Sequence, residues 1–181
     1  MKRSGSTVSL VCVVMLGLGA GPARAFDGGR QGFLLGFGVG AGLLDAPNYS
    51  VGQGNSGVQT DLKIGHGISE QWQVFYTGKQ YWRYSDGGFM TGGFPALGTA
   101  YYLKAMPPSA FVTGGAGAWL MGAGAAGFGA GLSVIGPGMF LGVGYEMARH
   151  ISLELDASTC APAAPGGRFI NVALTLNLIG Y

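Results

Sequence analysis

Along much of the chain, bulky apolar residues recur at every second position. In Gly32 to Leu44, Phe33, Leu35, Phe37, Val39, Ala41 and Leu43 share one parity, and mostly glycine fills the other. Val58, Thr60, Leu62 and Ile64 alternate with Gln59, Asp61 and Lys63. Trp72, Val74, Tyr76 and Trp82 oppose Gln73, Thr77 and Lys79. Ile151, Leu153, Leu155 and Ala157 oppose Ser152, Glu154 and Asp156. Ile170, Val172, Leu174, Leu176 and Leu178 alternate with Asn171, Ala173, Thr175 and Asn177. A period of two is the signature of a β-strand with two unlike faces. Three further segments are less regular. Thr91 to Leu103 contains Pro95, which a closed sheet tolerates at a rim or a bulge. Ala110 to Trp119 is so rich in glycine and alanine that its faces are unassigned. Gly138 to Glu146 sets Met139, Leu141, Val143 and Tyr145 against Gly142, Gly144 and Glu146.

Eight strands follow, with connections at 45–56, 65–71, 84–90, 105–109, 122–137, 147–150 and 158–167. Long and short connections broadly alternate, as in barrels with long outer loops and short periplasmic turns. An even strand number brings both termini to one side.

The start of the chain adds export. Lys2 and Arg3 precede the uncharged apolar run Val8 to Ala20, then Gly21-Pro22 and Ala23-Arg24-Ala25. That order predicts a secretory signal peptide over 1–25, cleaved after Ala25. The run is too short to span a bilayer as a helix. The remaining 26–181 make one domain.

Composition then points to a membrane. Charged residues are 10% of the chain, against about 25% in soluble domains. Ala105 to Tyr145 holds no Asp, Glu, Lys or Arg. Thirty-seven of the 181 residues are glycine, without a collagen period. Only helices and closed barrels satisfy every backbone polar group inside a bilayer. A helical pair over 105–145 is the competing architecture. It is broken by Gly136-Pro137-Gly138, its glycine density disfavours helix, and it leaves the alternation elsewhere unexplained. A soluble exported sheet also alternates, but several segments reach the roughly 9–11 residues a tilted spanning strand needs. The fold class read from the sequence is therefore all-β: an eight-stranded antiparallel up-and-down transmembrane barrel, with both termini periplasmic.

Charge narrows the chemistry. After cleavage, seven cationic side chains face eight carboxylates, so no nucleic-acid partner is expected. Cys160 is the only cysteine left, which excludes an internal disulfide; it is read as an isolated thiol in an outer loop. Gly122 to Gly127 matches G-x-G-x-x-G but lacks the helix a dinucleotide site requires. His66 and His150 fall at turns without a ligand cluster, so no metal and no cofactor is expected. The aromatics Trp72, Tyr76, Tyr81, Trp82, Tyr84, Tyr101, Tyr102, Trp119 and Tyr145 are read as interfacial girdles. Asp61, Lys63, Lys79, Glu146, Glu154 and Asp156 all fall on the parity opposite the apolar face. In an eight-stranded barrel that face is a lumen just wide enough to be filled by side chains. These six are expected to form an ionic plug there, with Gln59, Gln73, Thr175 and Asn177 completing it and the inward glycines of the first strand making room.

Gly38-Val39-Gly40-Ala41-Gly42, Gly114-Gly115-Ala116-Gly117, and Gly142-Val143-Gly144-Tyr145-Glu146 with Ile151 to Asp156 resemble strands of the small eight-stranded outer-membrane barrels, the outer membrane protein A transmembrane domain and the X-type proteins. The resemblance spans Phe26 to Tyr181 and implies an outer-membrane location, lipid as surroundings and the barrel-assembly machinery as a partner in biogenesis. Leu174, Leu176 and Leu178 with the terminal aromatic Tyr181 stand where that family carries its assembly signal, although Tyr181 has the opposite parity. The implied role is structural or surface-interactive, adhesin-like, in a monomer without enzymatic activity. The alternatives are a narrow pore, a conduit for hydrophobic ligands, or a lipid A or phospholipid-modifying enzyme. For the last, His150, Ser152 and Glu154 resemble part of the outer-membrane deacylase set, but Leu153 stands where those enzymes carry Asn.

Overall fold

The computed structural model describes residues 29–45, 56–85, 88–125, 131–161 and 169–181. The predicted signal peptide and Phe26 lie outside them. Eight strands follow in chain order: β1 (Gly32–Asp45), β2 (Ser56–Gly67), β3 (Trp72–Ser85), β4 (Gly88–Tyr102), β5 (Ser109–Ala125), β6 (Gly131–Ala148), β7 (Ile151–Cys160) and β8 (Phe169–Gly180). Each pairs antiparallel with its neighbours, and β8 closes on β1. The barrel is eight-stranded and up-and-down. No sheet edge is left open, which is what a bilayer demands of strands.

The alternating segments became strands because their two faces meet unlike surroundings. Phe37, Leu62, Tyr76, Leu141, Leu153 and Leu176 point outward and are exposed, whereas the opposite parity is almost wholly buried. Among the described residues, twenty-eight large hydrophobic side chains of the strands are exposed in this way, so the apolar face of the strands is the outer wall. A water-soluble sheet would place that face in its core.

Strands outrun their predicted bounds in the glycine-rich half. The connection expected over 122–137 shrinks to 126–130, because β5 continues to Ala125 and β6 begins at Gly131. Gly122 of the G-x-G-x-x-G match therefore lies inside β5. Similarly, 84–90 shrinks to 86–87, and β7 runs on to Cys160. Glycine and proline are loop signals in a local window, but a paired neighbour on each side holds such residues in a ladder. The competing helical pair over 105–145 is replaced by β5 and β6.

Pro95 sits in mid-strand, opposite Gly78 of β3. It brings no N–H to the ladder. Pairing of β4 with β5 runs to Gly93–Leu120, omits Phe94 and Pro95, and resumes at Ala96–Gly117. One residue away, the β5–β6 register shifts between Trp119 and Leu120. Pro95 therefore sits in neither a rim nor a bulge: the register of β4 runs unchanged past it on both sides, and the nearby irregularity belongs to the β5–β6 ladder.

Candidate functional site: the filled lumen

The inward parity converges on a layered interior. Its middle layer is ionic. Lys79 Nζ on β3 lies 3.1 Å from Asp61 Oδ2, 3.2 Å from Glu154 Oε1 and 2.9 Å from Asp156 Oδ2. Lys63 Nζ, from β2, lies 3.4 Å from Asp61 Oδ2 and pairs closely with Glu154 Oε2. The Thr77 hydroxyl donates to Asp61 Oδ1. All five charged residues are buried to within a few per cent. Charges taken this far from water persist only when paired and hydrogen-bonded. Lys63 and Lys79 also lie 5.6 Å and 5.2 Å from the Phe75 and Phe140 ring centroids, within cation–π range.

Room for this layer comes from glycine. A Cβ on Gly38 would meet Asn177 Oδ1 at 2.1 Å and the Asp61 Cβ at 3.3 Å. One on Gly142 would meet the Asp156 Cβ at 2.9 Å. Strands lacking side chains there leave room for the inward side chains of their paired neighbours.

Glu146, the sixth expected residue, does not join this layer. It is held by Arg30, whose Nε donates to Glu146 Oε2 at 3.0 Å and whose Nη2 pairs with the same oxygen. Arg30 Nη1 donates to the carbonyls of Glu70, Lys104 and Ala105 at 2.8, 2.8 and 3.0 Å. Its guanidinium carbon stands 4.0 Å from the Tyr102 ring centroid. Those carbonyls belong to the turns after β2 and β4, so Arg30 ties the segment before β1 across the end of the barrel that carries the C-terminus. Sequence reasoning missed Arg30, since it precedes the first alternating residue; its only signal is a cation directly before a strand.

The polar residues expected to complete the ionic layer bond elsewhere. Asn177 donates to Thr175 Oγ1, Asn171 donates to Gln59 Oε1, and Gln73 Oε1 accepts from the Tyr102 hydroxyl. Tyr102 in turn meets the Tyr181 hydroxyl at 3.3 Å. Tyr181 is buried in the lumen, with its ring 5.7 Å from that of His150, while Leu174, Leu176 and Leu178 face outward. The four residues of the expected assembly signal therefore divide between the two faces.

A third layer, toward the opposite end, is aromatic and was not anticipated. Phe94 packs against Trp119 at 5.6 Å and edge-on to Phe140 at 6.2 Å. Tyr81, Phe169, Met90, Met121 and Leu44 are buried with them. Tyr81, Tyr102 and Trp119 were expected in the outer girdles; they point inward instead. Parity already placed Tyr81 with Lys79, and glycine had erased the faces around Trp119. The other six girdle candidates that remain, Trp72, Tyr76, Trp82, Tyr84, Tyr101 and Tyr145, are exposed. Cys160, expected in a loop, ends β7 and is buried.

His150 occupies the two-residue turn between β6 and β7 with φ of 70°. Its Nδ1 lies 2.7 Å from the Ile179 carbonyl oxygen. Ser152 Oγ, inside the lumen, has no hydrogen-bond partner among the described residues, so the structure does not join His150, Ser152 and Glu154 into a hydrolytic triad. No cluster of three or more metal-ligating side chains occurs among the described residues.

No protein-family model matches the chain, and no curated protein sequence matches it. Solved structures do match in fold. Neisserial surface protein A superposes with a TM-score of 0.63 at 11% identity, over 81% of this chain and 95% of that one. Ail, the attachment invasion locus protein of Yersinia pestis, gives 0.54 at 10% identity, over 81% and 98%. The same protein in complex with the heparin analogue sucrose octasulfate gives 0.56, at equal identity and coverage. At these identities the likeness establishes the fold: an eight-stranded antiparallel barrel resembling known outer-membrane barrels.

Proposed function

We propose that this chain is a monomeric barrel of the bacterial outer membrane, exported by cleavage after Ala25, inserted by the barrel-assembly machinery, and serving a structural or surface-contact role. The observation that carries the reading is the inversion of its faces. Leucine, phenylalanine and valine cover the outer wall, and Lys63, Lys79, Asp61, Glu154 and Asp156 lie inside. That arrangement is stable where the outside is hydrocarbon and the inside is the sole refuge for charge. In this reading the end carrying Arg30 and Tyr181 faces the periplasm. The three layers fill the lumen, which favours a closed structural barrel over a pore. The surface-contact part takes its lead from Ail, whose name speaks of attachment. Membrane fractionation combined with a folded-versus-boiled gel shift tests the proposal. We expect an outer-membrane band that migrates differently before and after boiling; a soluble periplasmic protein with no shift would overturn it.

One observation favours a second reading, a conduit for hydrophobic molecules. The aromatic layer of Phe94, Trp119 and Phe140 lies behind the stretch where Phe94 and Pro95, paired to β3, make no pairing with β5. Passage of an apolar dye by a protein that excludes ions would support this reading over the first.

A further inference from the structure

The buried charges of the lumen do not balance. Among the described residues three cations, Arg30, Lys63 and Lys79, face four carboxylates, Asp61, Glu146, Glu154 and Asp156, all nearly free of solvent. Arg30 and Glu146 neutralise each other. The middle layer is left with two lysines among three carboxylates, one negative charge in excess. An uncompensated charge taken this far from water is costly. The least served carboxylate is Asp156. Its Oδ2 lies 2.9 Å from Lys79 Nζ, but Lys79 is shared with Asp61 and Glu154. Its Oδ1 has no hydrogen-bond partner among the described residues, and neither has Ser158 Oγ or Asn171 Oδ1. All three residues are buried. Ser158 follows Asp156 by two positions on the inward parity of β7, and Asn171 is its direct partner on β8, so their Cβ atoms lie roughly 5–8 Å apart. Beside them the wall is made of the smallest residues. Asp156 pairs with Ala173, Ala173 with Gly42, and Gly42 with Gly57. Asn171 Nδ2 donates to Gln59 Oε1 at 3.2 Å, which orients the amide. A Cβ on Gly42 would stand 3.3 Å from Asn171 Oδ1, so the unpartnered oxygen is aimed over that glycine, with Ala173 between it and Asp156.

We propose that Asp156, Ser158 and Asn171 hold one monovalent cation, of sodium size, inside the barrel. The three unpartnered atoms are a carboxylate, a hydroxyl and an amide oxygen, the ligand type of hard cations. One positive charge closes the balance of the layer. A calcium ion would overshoot it, and calcium usually takes about 6–8 oxygens with several carboxylates among them. Transition metals prefer imidazole or thiolate, and no cluster of such side chains occurs among the described residues. A water molecule would satisfy the same atoms, donating to Asp156 and Asn171 and accepting from Ser158, but it brings no charge. The site belongs to the enclosed lumen and does not depend on which membrane surrounds the barrel.

Equilibrium unfolding tests this. The full mature protein in detergent is unfolded in urea while sodium chloride is exchanged stepwise for choline chloride at constant ionic strength, so that screening stays fixed. A ligand bound only by the folded state raises stability with its concentration. We expect the wild-type midpoint to climb with sodium. Asp156→Asn removes the excess charge and is expected to fold without a sodium response. Ser158→Ala keeps the charge and loses one ligand, so it should need about tenfold more sodium for the same shift, the loss of one contact to a charged group. Ser152→Ala removes another unpartnered inward oxygen, on the other side of Glu154, and should respond as the wild type does. Sodium NMR reads binding directly, because exchange with a bound site broadens the line: the wild type and Ser152→Ala should broaden it, and Asp156→Asn should not. If Asp156→Asn does not fold, Ser158→Ala against Ser152→Ala decides. An equal sodium response in all four proteins would overturn the proposal, since sodium would then act elsewhere. So would a wild type that ignores sodium. If that wild type gains stability on acidification while Asp156→Asn stays flat, the balancing charge is a proton on Asp156 and not a metal ion.

Discussion

Lys79 is the residue on which the middle of the lumen turns, because it alone reaches Asp61, Glu154 and Asp156. Lys79→Met leaves three carboxylates with one cation between them. Removing one partner of a buried pair typically costs ~3–5 kcal/mol, against ~0–1 kcal/mol for an exposed pair. We therefore expect Lys79→Met and Glu154→Leu to lower stability in urea titrations by the larger amount, and Lys63→Met by less, since Lys79 still serves its partners. Leu153→Ala on the outer wall should be milder, because lipid fills part of the space left. Near-neutral effects at Lys79 and Glu154 would mean these groups are solvated. Arg30 makes a separate test. Its flat guanidinium serves Glu146 and three carbonyls together, which a lysine cannot do, so Arg30→Lys should destabilise nearly as much as Arg30→Ala. The inward position of Asp61, Lys63, Lys79, Glu154 and Asp156 was legible from parity alone. That Glu146 pairs with Arg30 was not, because Arg30 stands outside any alternating segment and meets its partner across 116 residues of chain.

Among the elements, β8 bears the closure. It pairs with β7 on one side and β1 on the other, from Leu35–Gly180 to Asp45–Ile170. Deleting Phe169 to Tyr181 would leave β1 and β7 with rows of unpaired N–H and C=O groups facing lipid, each costing several kcal/mol. We expect the truncated chain to lose the heat-modifiable form; a truncated species that still assembles and resists protease in membranes would contradict the closed barrel. How clearly a strand shows in sequence tracks what occupies its second face. β2, β7 and β8 carry polar side chains inward, and their alternation survives. In β5, Gly114, Gly115, Gly117 and Ala118 remove the contrast between faces. There the ladder with β4 and β6 makes the strand, a relation between distant segments that no single window contains. Pro95 and Pro137 misled in the same way, as local breakers that paired neighbours hold in strand.

At the scale of the whole molecule, the three layers act in series. Arg30 with Glu146 and Tyr102 closes one end, the lysine–carboxylate group fills the middle, and Phe94, Trp119 and Phe140 fill the far side. Ions crossing the barrel would have to pass all three. The ionic and aromatic layers oppose passage for different reasons: one is paired charge that would have to separate, the other is an apolar constriction that excludes water. Purified protein in planar bilayers is therefore expected to show no steady conductance. Unlike a barrel closed by its charges alone, this one should also stay closed in Arg30→Ala and in Lys79→Met, because each leaves two layers standing. Conductance should appear once the aromatic layer and one ionic layer are cut back together, as in Phe94→Ala with Trp119→Ala and Lys79→Met, provided the heat-modifiable band survives. A stable, ion-selective current from the wild type would leave the barrel intact but move its role to that of a channel. Steady current from Lys79→Met alone would show that the aromatic layer does not seal, and would weaken the closed structural reading at the end that faces away from Arg30.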